Sequence, residues 1–217
     1  MEVNGTFVGE DGKTVPVHQV IKYTVGKPGG AAVMLDKMNV FYIGVPNPVT
    51  ISSGTGWDRT HVGISTGSIS PSGGPGKFIV TVSTPGKATI TVTADNKPST
   101  YDFRVKEIPN PVFKVGPGGT RMSSQTFKGQ QFCRAELENF EFDAHFTVES
   151  ATVYFSGAGF SSGGGVQSAN ITGASLAPLA SFISRCQPGS AITFDNVKVK
   201  GPDGKTRSIQ GVGIVLY

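Results

Sequence analysis

The sequence has few of the residues on which catalytic and metal sites depend. Its 217 residues contain three histidines and two cysteines. A structural zinc site takes four ligands, mostly cysteine and histidine, so two cysteines are too few to build one. The histidines, His18, His61 and His145, are scattered, and no acid–base pair or ligand set can be assembled around them. We therefore assign no catalytic, cofactor-binding or metal-binding residue and expect a protein that is not an enzyme.

Long apolar runs and clustered charge are also missing. No stretch approaches the ~20 apolar residues of a membrane helix, and residues 1–4 lack the basic and apolar regions of a signal peptide. We interpret the chain as a fragment whose targeting segment lies upstream. The formal charge is +4, from 19 basic and 15 acidic residues. The basic residues form no run, which argues against nucleic-acid binding.

Glycine and proline, by contrast, are abundant, with 30 and 14 residues and no collagen-like period. This composition is typical of an all-β protein with many turns. The tetrapeptide Pro-Asn-Pro-Val occurs twice, at residues 46–49 and 109–112. Proline lacks an N–H and favours extended backbone before it, so each copy predicts a stiff, extended start to a new unit.

We therefore predict an all-β chain of tandem immunoglobulin-like β-sandwich domains. Residues 1–30 would be the C-terminal strands of a truncated preceding domain. Residues 31–108 would form a first sandwich, and residues 109–217 a second, outermost sandwich with one short helix.

Several strands of the first sandwich can be read from alternation. In residues 88–94 every second residue is apolar and threonines fill the other positions, as in a half-buried antiparallel strand. The preceding run, residues 78–82, ends at a short turn, so we predict a hairpin between the two. Residues 101–106 repeat the alternation, with Tyr101, Phe103 and Val105 facing the core. Upstream, an Asp-Gly turn between residues 6–8 and 15–17 predicts another hairpin, followed by a strand at residues 20–25.

In the second sandwich the clearest strand signal is residues 140–148, where three phenylalanines share one face. Residues 176–183 place Leu179, Phe182 and Ile183 at helical spacing and predict the short helix. Residues 192–194 and 197–199 alternate in opposite phase across residues 195–196, which predicts a β-bulge.

Two glycine-lysine-threonine segments resemble a phosphate-binding loop but are better explained as turns. Residues 9–14 and 201–206 are each two residues short of that motif, and each joins two predicted strands instead of leading into a helix. Asp143 and His145 project from one face of a predicted strand and could coordinate a metal, but solvated surface side chains are the simpler interpretation.

Two segments are candidates for contact with a partner. Trp57 lies in a glycine- and serine-rich run, where it either binds a partner or caps the edge of its own domain. The glycine-rich residues 157–165 form either a contact loop or a plain hairpin connection. The possible contact residues in this loop are Gly157, Gly159, Phe160, Gly163, Gly164 and Gly165.

The run from Met38 to Val49 resembles the C-terminal periplasmic region of the GldM/PorM family of gliding-motility and type IX secretion motor proteins. That family has a Met-Asn-Val-aromatic-Tyr run ending in Asn-Pro. The junction at residues 104–111, which ends in the second Pro-Asn-Pro, supports the resemblance. Where the family has Asp before Asn-Pro, this chain has Pro46. The resemblance covers essentially the whole chain.

The resemblance implies a non-enzymatic periplasmic rod without a cofactor. Its full-length form would be a homodimer, anchored in the inner membrane by an N-terminal helix absent from this sequence. That helix would join an inner-membrane partner in a proton-driven motor, and the rod would reach the outer-membrane-associated ring proteins of the secretion apparatus. The family supplies no ligand residues to carry over. A cell-surface adhesin built of immunoglobulin-like modules is the alternative.

The periplasmic compartment implied by the resemblance permits disulfides. Cys133 and Cys186 fall in the same predicted domain, and we consider two possibilities for them. They form a disulfide that ties helix to sheet, or they are two separate buried thiols.

Overall fold

The computed structural model describes residues 2–8, 13–20, 39–54, 56–160 and 165–217. The N-terminal strands β1 (Glu2–Val8) and β2 (Thr14–Val20) pair antiparallel, which confirms the first predicted hairpin. Its turn at residues 9–12 lies outside the described residues, as do residues 21–25 of the predicted third strand.

The first sandwich consists of two sheets that face each other across a core of Val80, Ile90, Val92 and the stacked rings of Phe41 and Phe103. One sheet has the order β3-β9-β8-β5 and the other β4-β7-β6, and only the β3–β9 pair is parallel. A short 3₁₀ helix, Trp57–Arg59, precedes β5. The strands are β3 (Val40–Tyr42), β4 (Asn47–Thr50), β5 (Thr60–Ile64), β6 (Ser68–Pro71), β7 (Lys77–Thr81), β8 (Gly86–Ala94) and β9 (Lys97–Lys106).

The predicted hairpin between residues 78–82 and 88–94 is wrong, although both strands exist. β7 pairs with β4 and β6, whereas β8 pairs with β5 and β9. Val80 and Ile90 therefore fill the same core from opposite sheets. The true hairpin joins β8 to β9 through Asp95 and Asn96, which both adopt positive φ (47° and 60°), as tight hairpin turns require.

The second sandwich has a larger sheet of order β11-β17-β15-β13-β14, with β16 beside β15, and a small sheet of β10 and β12. Two short helices, α1 (Ser124–Lys128) and α2 (Ala180–Ile183), accompany the sheets. The strands are β10 (Val112–Val115), β11 (Arg121–Met122), β12 (Cys133–Glu136), β13 (Thr147–Gly157), β14 (Val166–Thr172), β15 (Ser190–Lys200), β16 (Thr206–Ile209) and β17 (Gly213–Leu216).

The predicted helix is confirmed: a 3₁₀ turn at Ala177–Leu179 continues into α2, and its Phe182 stacks on Phe155. The prediction of a single helix is wrong, because α1 is a second one. The Ser123 hydroxyl accepts a hydrogen bond from the Thr126 N–H at 3.0 Å, and Phe127 is fully buried. An N-cap and one buried anchor thus suffice for a single turn too short to show periodicity.

The strand predicted at residues 140–148 is also mostly wrong. Residues 140–146 are irregular apart from one bridge at Phe146, and β13 begins only at Thr147. The phenylalanines alternate for another reason, because Phe140 and Phe142 both pack on Tyr42 of the first sandwich.

The predicted bulge in β15 is confirmed. The β13–β15 register shifts between Ser150 and Thr152, and burial changes phase across Asp195 and Asn196, where Asn196 has φ of 50°. The bulge keeps Phe194 and Val197 on the core side of one continuous strand.

Candidate functional site: the junction of the two sandwiches

The two sandwiches meet through the second Pro-Asn-Pro-Val segment and through the residues that follow β3. Ile108 and Val45 are both buried in the hydrophobic core of the second sandwich, although each leads out of a strand of the first. Pro111 is buried as well. The junction is therefore a packed contact and not an exposed linker.

The turn between β15 and β16, residues 201–205, lies against this junction. Gly44 has φ of +86°, and a Cβ atom there would come within 2.6 Å of the Asp203 backbone nitrogen. No side chain fits at that distance, and positive φ disfavours any residue with a Cβ. Gly44 thus permits the β15–β16 turn to contact the first sandwich directly.

Arg207 connects the turn to the chain that joins the sandwiches. Its Nη1 donates to the Ile108 carbonyl at 2.7 Å, and its Nη2 donates to Asp203 Oδ2 at 2.6 Å. The guanidinium carbon also lies 5.5 Å from the centre of the Phe146 ring. The Arg207 and Asp203 side chains are only 14% and 2% exposed. A largely buried arginine that donates to two different acceptors fixes geometry as well as charge.

The Asp203 carboxylate is held ionised by these partners. Burial alone would raise its pKa, but the hydrogen bond from Arg207, the Lys205 N–H and the two positive charges lower the pKa below its usual value. Lys205 makes a further ion pair with Glu107 at 3.0 Å. Because about half of each of those two side chains is exposed, this pair contributes little to stability.

Aromatic contacts support the other side of the junction. The Tyr42 ring lies edge-on to Phe140 at 4.8 Å and to Phe142 at 5.2 Å between ring centres. Such pairs stabilise by about 1 kcal/mol beyond the area they bury. The junction is thus stabilised both by the Arg207–Asp203 contact and by the contacts of Tyr42 with Phe140 and Phe142.

The two Pro-Asn-Pro-Val copies have different roles. In the first copy Asn47 is buried, its Oδ1 accepts the Tyr42 N–H, and its Nδ2 contacts the carbonyls of Tyr42, Val45 and Val80. That copy carries the chain between the two sheets of one sandwich, and the expectation that it starts a new unit is not met there. The second copy leads into β10 of the next sandwich, and its Asn110 is exposed.

Trp57, a predicted contact residue, is half-buried against the first core, with its ring centre 5.6 Å from that of Phe78. Its position fits the simpler of the two interpretations, a cap on its own domain.

The first half of the glycine-rich loop is a packed turn and not a free contact surface. A Cβ on Gly157 would lie 2.4 Å from the Gly189 carbonyl oxygen, and one on Gly159 would lie 2.3 Å from that of Arg185. Phe160 is fully buried beneath the Arg185 guanidinium, so its prediction as a partner contact is wrong. Among the remaining candidates, Gly163 and Gly164 lie outside the described residues, and Gly165 is exposed.

The predicted disulfide is also absent from the structure. Cys133 and Cys186 are free, buried thiols, and their sulfur atoms donate to different carbonyls, of Ala174 at 3.3 Å and Phe182 at 3.5 Å. Burial raises the pKa of each thiol to about 11. The two cysteines therefore match the other interpretation considered above, that of two separate buried thiols.

Two further motifs with catalytic or metal-binding residue types have structural explanations. The Gly-x-Ser-x-Gly sequence at residues 63–67 joins β5 to β6, and Ser65 Oγ accepts the Thr89 N–H. A nucleophile elbow would join a strand to a helix. His145 Nε2 and Asp143 Oδ1 lie 2.8 Å apart, and both side chains are almost fully exposed. In the part of the chain that the structure describes, no group of histidine, cysteine or acidic residues could hold a metal ion.

A groove of about 440 Å³ lies between the end of α1 and α2, with Phe132 and Ile183 in its lining. Phe132 is 62% exposed. No helix within those residues is long and apolar enough to cross a membrane.

Comparison with known proteins places this two-sandwich chain in a family. The sequence pattern of the GldM third domain matches residues 30–106, and that of the GldM C-terminal domain matches residues 85–217. No curated protein matches the chain. Among solved structures, invasin, a bacterial integrin-binding protein, is 14% identical with a TM-score of 0.29. The four N-terminal immunoglobulin domains of Dscam1 isoform 9.44 are 10% identical with a TM-score of 0.27.

The invasin alignment covers 99% of this chain and 46% of invasin, and the Dscam1 alignment covers 88% and 53%. The chain thus spans about half the length of either structure. The GldM C-terminal domain match alone covers more than half of the chain. The chain therefore belongs to the GldM family and is part of the periplasmic region of a structural motor component of gliding motility and type IX secretion.

Proposed function

We propose that this chain is the non-enzymatic outer part of a periplasmic rod that transmits motion from a proton-driven inner-membrane motor to the ring of the type IX secretion apparatus. An N-terminal helix upstream of this sequence anchors the full-length protein and joins the inner-membrane motor partner. The full-length rod is a homodimer. Membership of the GldM family favours this role over that of a cell-surface adhesin.

The observation that carries the proposal is the packed junction. A linker that transmits force has to resist bending, and flexible linkers of glycine and serine do not. Here Val45 and Ile108 continue the second core into the first sandwich, and Arg207 bonds to both the turn and the connecting chain. Domains joined by a small polar contact usually move relative to each other, whereas Val45, Ile108 and Pro111 are buried at this junction.

An experiment on Gly44 tests whether a stiff junction is needed. In Gly44→Ala the new Cβ collides with the backbone of Asp203, so the turn has to move away. Gly63→Ala is the matched control, because no atom lies within 4 Å of a Cβ at that position. Spin labels on Thr100→Cys and Ser208→Cys, both exposed positions on different sandwiches, report the distance distribution across the junction. The native buried thiols should stay unlabelled.

We expect Gly44→Ala, but not Gly63→Ala, to broaden the distance distribution and to reduce gliding and secretion when placed in the full-length gene. A broadened distribution with unchanged gliding and secretion would contradict the rod proposal.

We further propose that the outermost sandwich, residues 109–217, contacts the ring proteins, and that the segment 161–164 takes part. Phe160 and Gly159 have to be kept in any test, because they are packed. Replacing residues 161–164 by two glycines should leave the melting midpoint unchanged and weaken capture of purified ring proteins. Unchanged capture would remove this segment from the contact.

A further inference from the structure

The groove between α1 and α2 lies at the end of the second sandwich that faces away from the junction. β13 starts at Thr147, next to the junction residue Phe146, and ends at Gly157, which pairs with Ser190 at the start of β15. Residues 184–189 join α2 to that same end. α1 follows β11, which pairs with β17 beside the start of β15. A partner can therefore reach the groove without touching the first sandwich.

The groove has an apolar floor and one exposed aromatic wall. Leu176 and Ile183 line it and belong to the buried core, whereas Phe132 lines it from an exposed position. Its volume of about 440 Å³ falls within the range of about 300–1,000 Å³ that is usual for ligand clefts. An exposed aromatic ring beside an apolar cleft is suited to anchor a large side chain of a partner.

The sequence segments that form the groove contain only positive charge. In residues 116–132 the charged side chains are Arg121 and Lys128, and in residues 157–189 the single charged side chain is Arg185. The acidic side chains of the second sandwich all lie outside these two segments, at Glu136, Glu138, Glu141, Asp143, Glu149, Asp195 and Asp203.

No described carboxylate pairs with the two cations nearest the groove. Lys128 lines the groove and takes part in none of the ion pairs that join described residues. Arg185 donates to two neutral acceptors, Gln167 Oε1 at 2.9 Å and the Gly159 carbonyl at 2.8 Å. Burial raises the pKa of the Cys186 thiol, and the charges of Lys128 and Arg185 act against that shift, which places both cations near this thiol. The charge of the groove is therefore complementary to an acidic partner.

We propose that this groove takes an acidic segment of a partner protein, which inserts one large apolar side chain beside Phe132 and places a carboxylate against Lys128. The inference deepens the ring contact proposed above and rests on it, because it assigns a surface and a chemistry to that contact. A second copy of the chain is a poorer occupant. A contact between two identical surfaces would bring Lys128 and Arg185 of both copies together, and like charges disfavour an interface.

Two variants of the whole chain test the two parts of the groove. Lys128→Glu reverses the charge at the rim, and Lys198→Glu is its control, because Lys198 is exposed on β15 and outside the lining. Ala180→Phe fills the groove from an exposed position on α2. Ser181→Phe is its control, because the next side chain of a helix points about 100° away around the axis. Biolayer interferometry with purified ring proteins measures the dissociation constant at low and high salt, and the melting midpoint checks folding.

We expect the wild-type chain to capture the ring proteins, and each groove variant to bind them about tenfold more weakly with an unchanged melting midpoint. Both controls should bind like wild type. Raising the salt concentration should weaken capture by wild type more than capture by Lys128→Glu, because salt screens an attraction that this variant has already lost.

The possible failures are distinguishable. Groove variants that bind like wild type would overturn the groove proposal and leave a ring contact through another surface. A wild-type chain that does not capture the ring proteins would overturn the ring contact and the groove proposal with it. Capture that is weakened by Ala180→Phe alone and does not respond to salt would overturn the acidic character of the segment.

The same variants test two other occupants. Sedimentation equilibrium would assign the groove to a second copy of the chain if wild type self-associates and Ala180→Phe does not. Flotation with phosphatidylglycerol vesicles would assign it to a membrane surface if wild type binds them and both groove variants fail to bind. Either result would overturn the proposal of an acidic protein segment.

Discussion

Removing Arg207 should destabilise the second sandwich and uncouple it from the first. In Arg207→Ala the Ile108 carbonyl and the Asp203 carboxylate both lose their partner, and Asp203 is almost fully buried. The Lys205 N–H still donates to Asp203 Oδ1, at 3.2 Å. A lost hydrogen bond to a charged group costs about 1.5–3 kcal/mol. The lost contact with Phe146 adds about 1 kcal/mol, so we expect a total near 3 kcal/mol.

The neighbouring Lys205→Ala variant provides the control. Lys205 and Glu107 form an ion pair at the same junction, but both side chains are about half exposed. We expect its loss to cost about 0.5 kcal/mol or less. Each variant removes one positive charge close to the same junction, so the difference in their free energies of unfolding reports the effect of burying Arg207.

Urea unfolding followed by two signals measures both effects. Trp57 is the only tryptophan of the chain and packs in the first sandwich, so its fluorescence reports on that unit, whereas far-UV circular dichroism reports on both. We expect coincident transitions in wild type and, in Arg207→Ala, an early circular dichroism transition that precedes the fluorescence change. A free energy of unfolding for Arg207→Ala within 0.5 kcal/mol of that for Lys205→Ala would refute the assigned role of Arg207.

The pattern of the sequence predicted strands well where burial alternates along one sheet. β8 and β9 appear as predicted because Ile90, Val92, Phe103 and Val105 face a single core. Pairing was harder to predict, because residues 78–82 and 88–94 are equally apolar on their inner faces whether they share a sheet or oppose each other. The turn chemistry at Asp95 and Asn96 is the signal that identifies the true hairpin.

Sequence reasoning failed where side chains contact another unit. Phe140 and Phe142 alternate like strand residues, yet they pack on Tyr42 of the first sandwich. Alternation in the sequence indicates that a side chain is buried, but it does not indicate which element buries it. Residues that contact another domain can therefore show the same pattern as one face of a strand. Asp203 and Arg207 could not be identified from the sequence for the same reason. Their role depends on the hydrogen bond from Arg207 to the Ile108 carbonyl, which is distant in the sequence.

Further predictions concern buried groups. After alkylation under denaturing, non-reducing conditions, mass spectrometry should find both Cys133 and Cys186 alkylated. An unalkylated protein whose mass is two hydrogens below that of the reduced chain would show that they form a disulfide. Asn47→Ala should cost about 2–3 kcal/mol in urea unfolding, because the Tyr42 N–H loses its acceptor in a buried site, and a cost below 0.5 kcal/mol would contradict that role. The last prediction concerns pH. The folded-state pKa of Asp203 is lowered from 3.8, so its ionisation stabilises the fold above that value, and this contribution is lost as pH falls through the folded-state pKa. The stability difference between wild type and Asp203→Asn should therefore be full at pH 7 and shrink below about pH 4, and a difference that stays constant down to pH 2 would show that the Asp203 charge is not what Arg207 recognises.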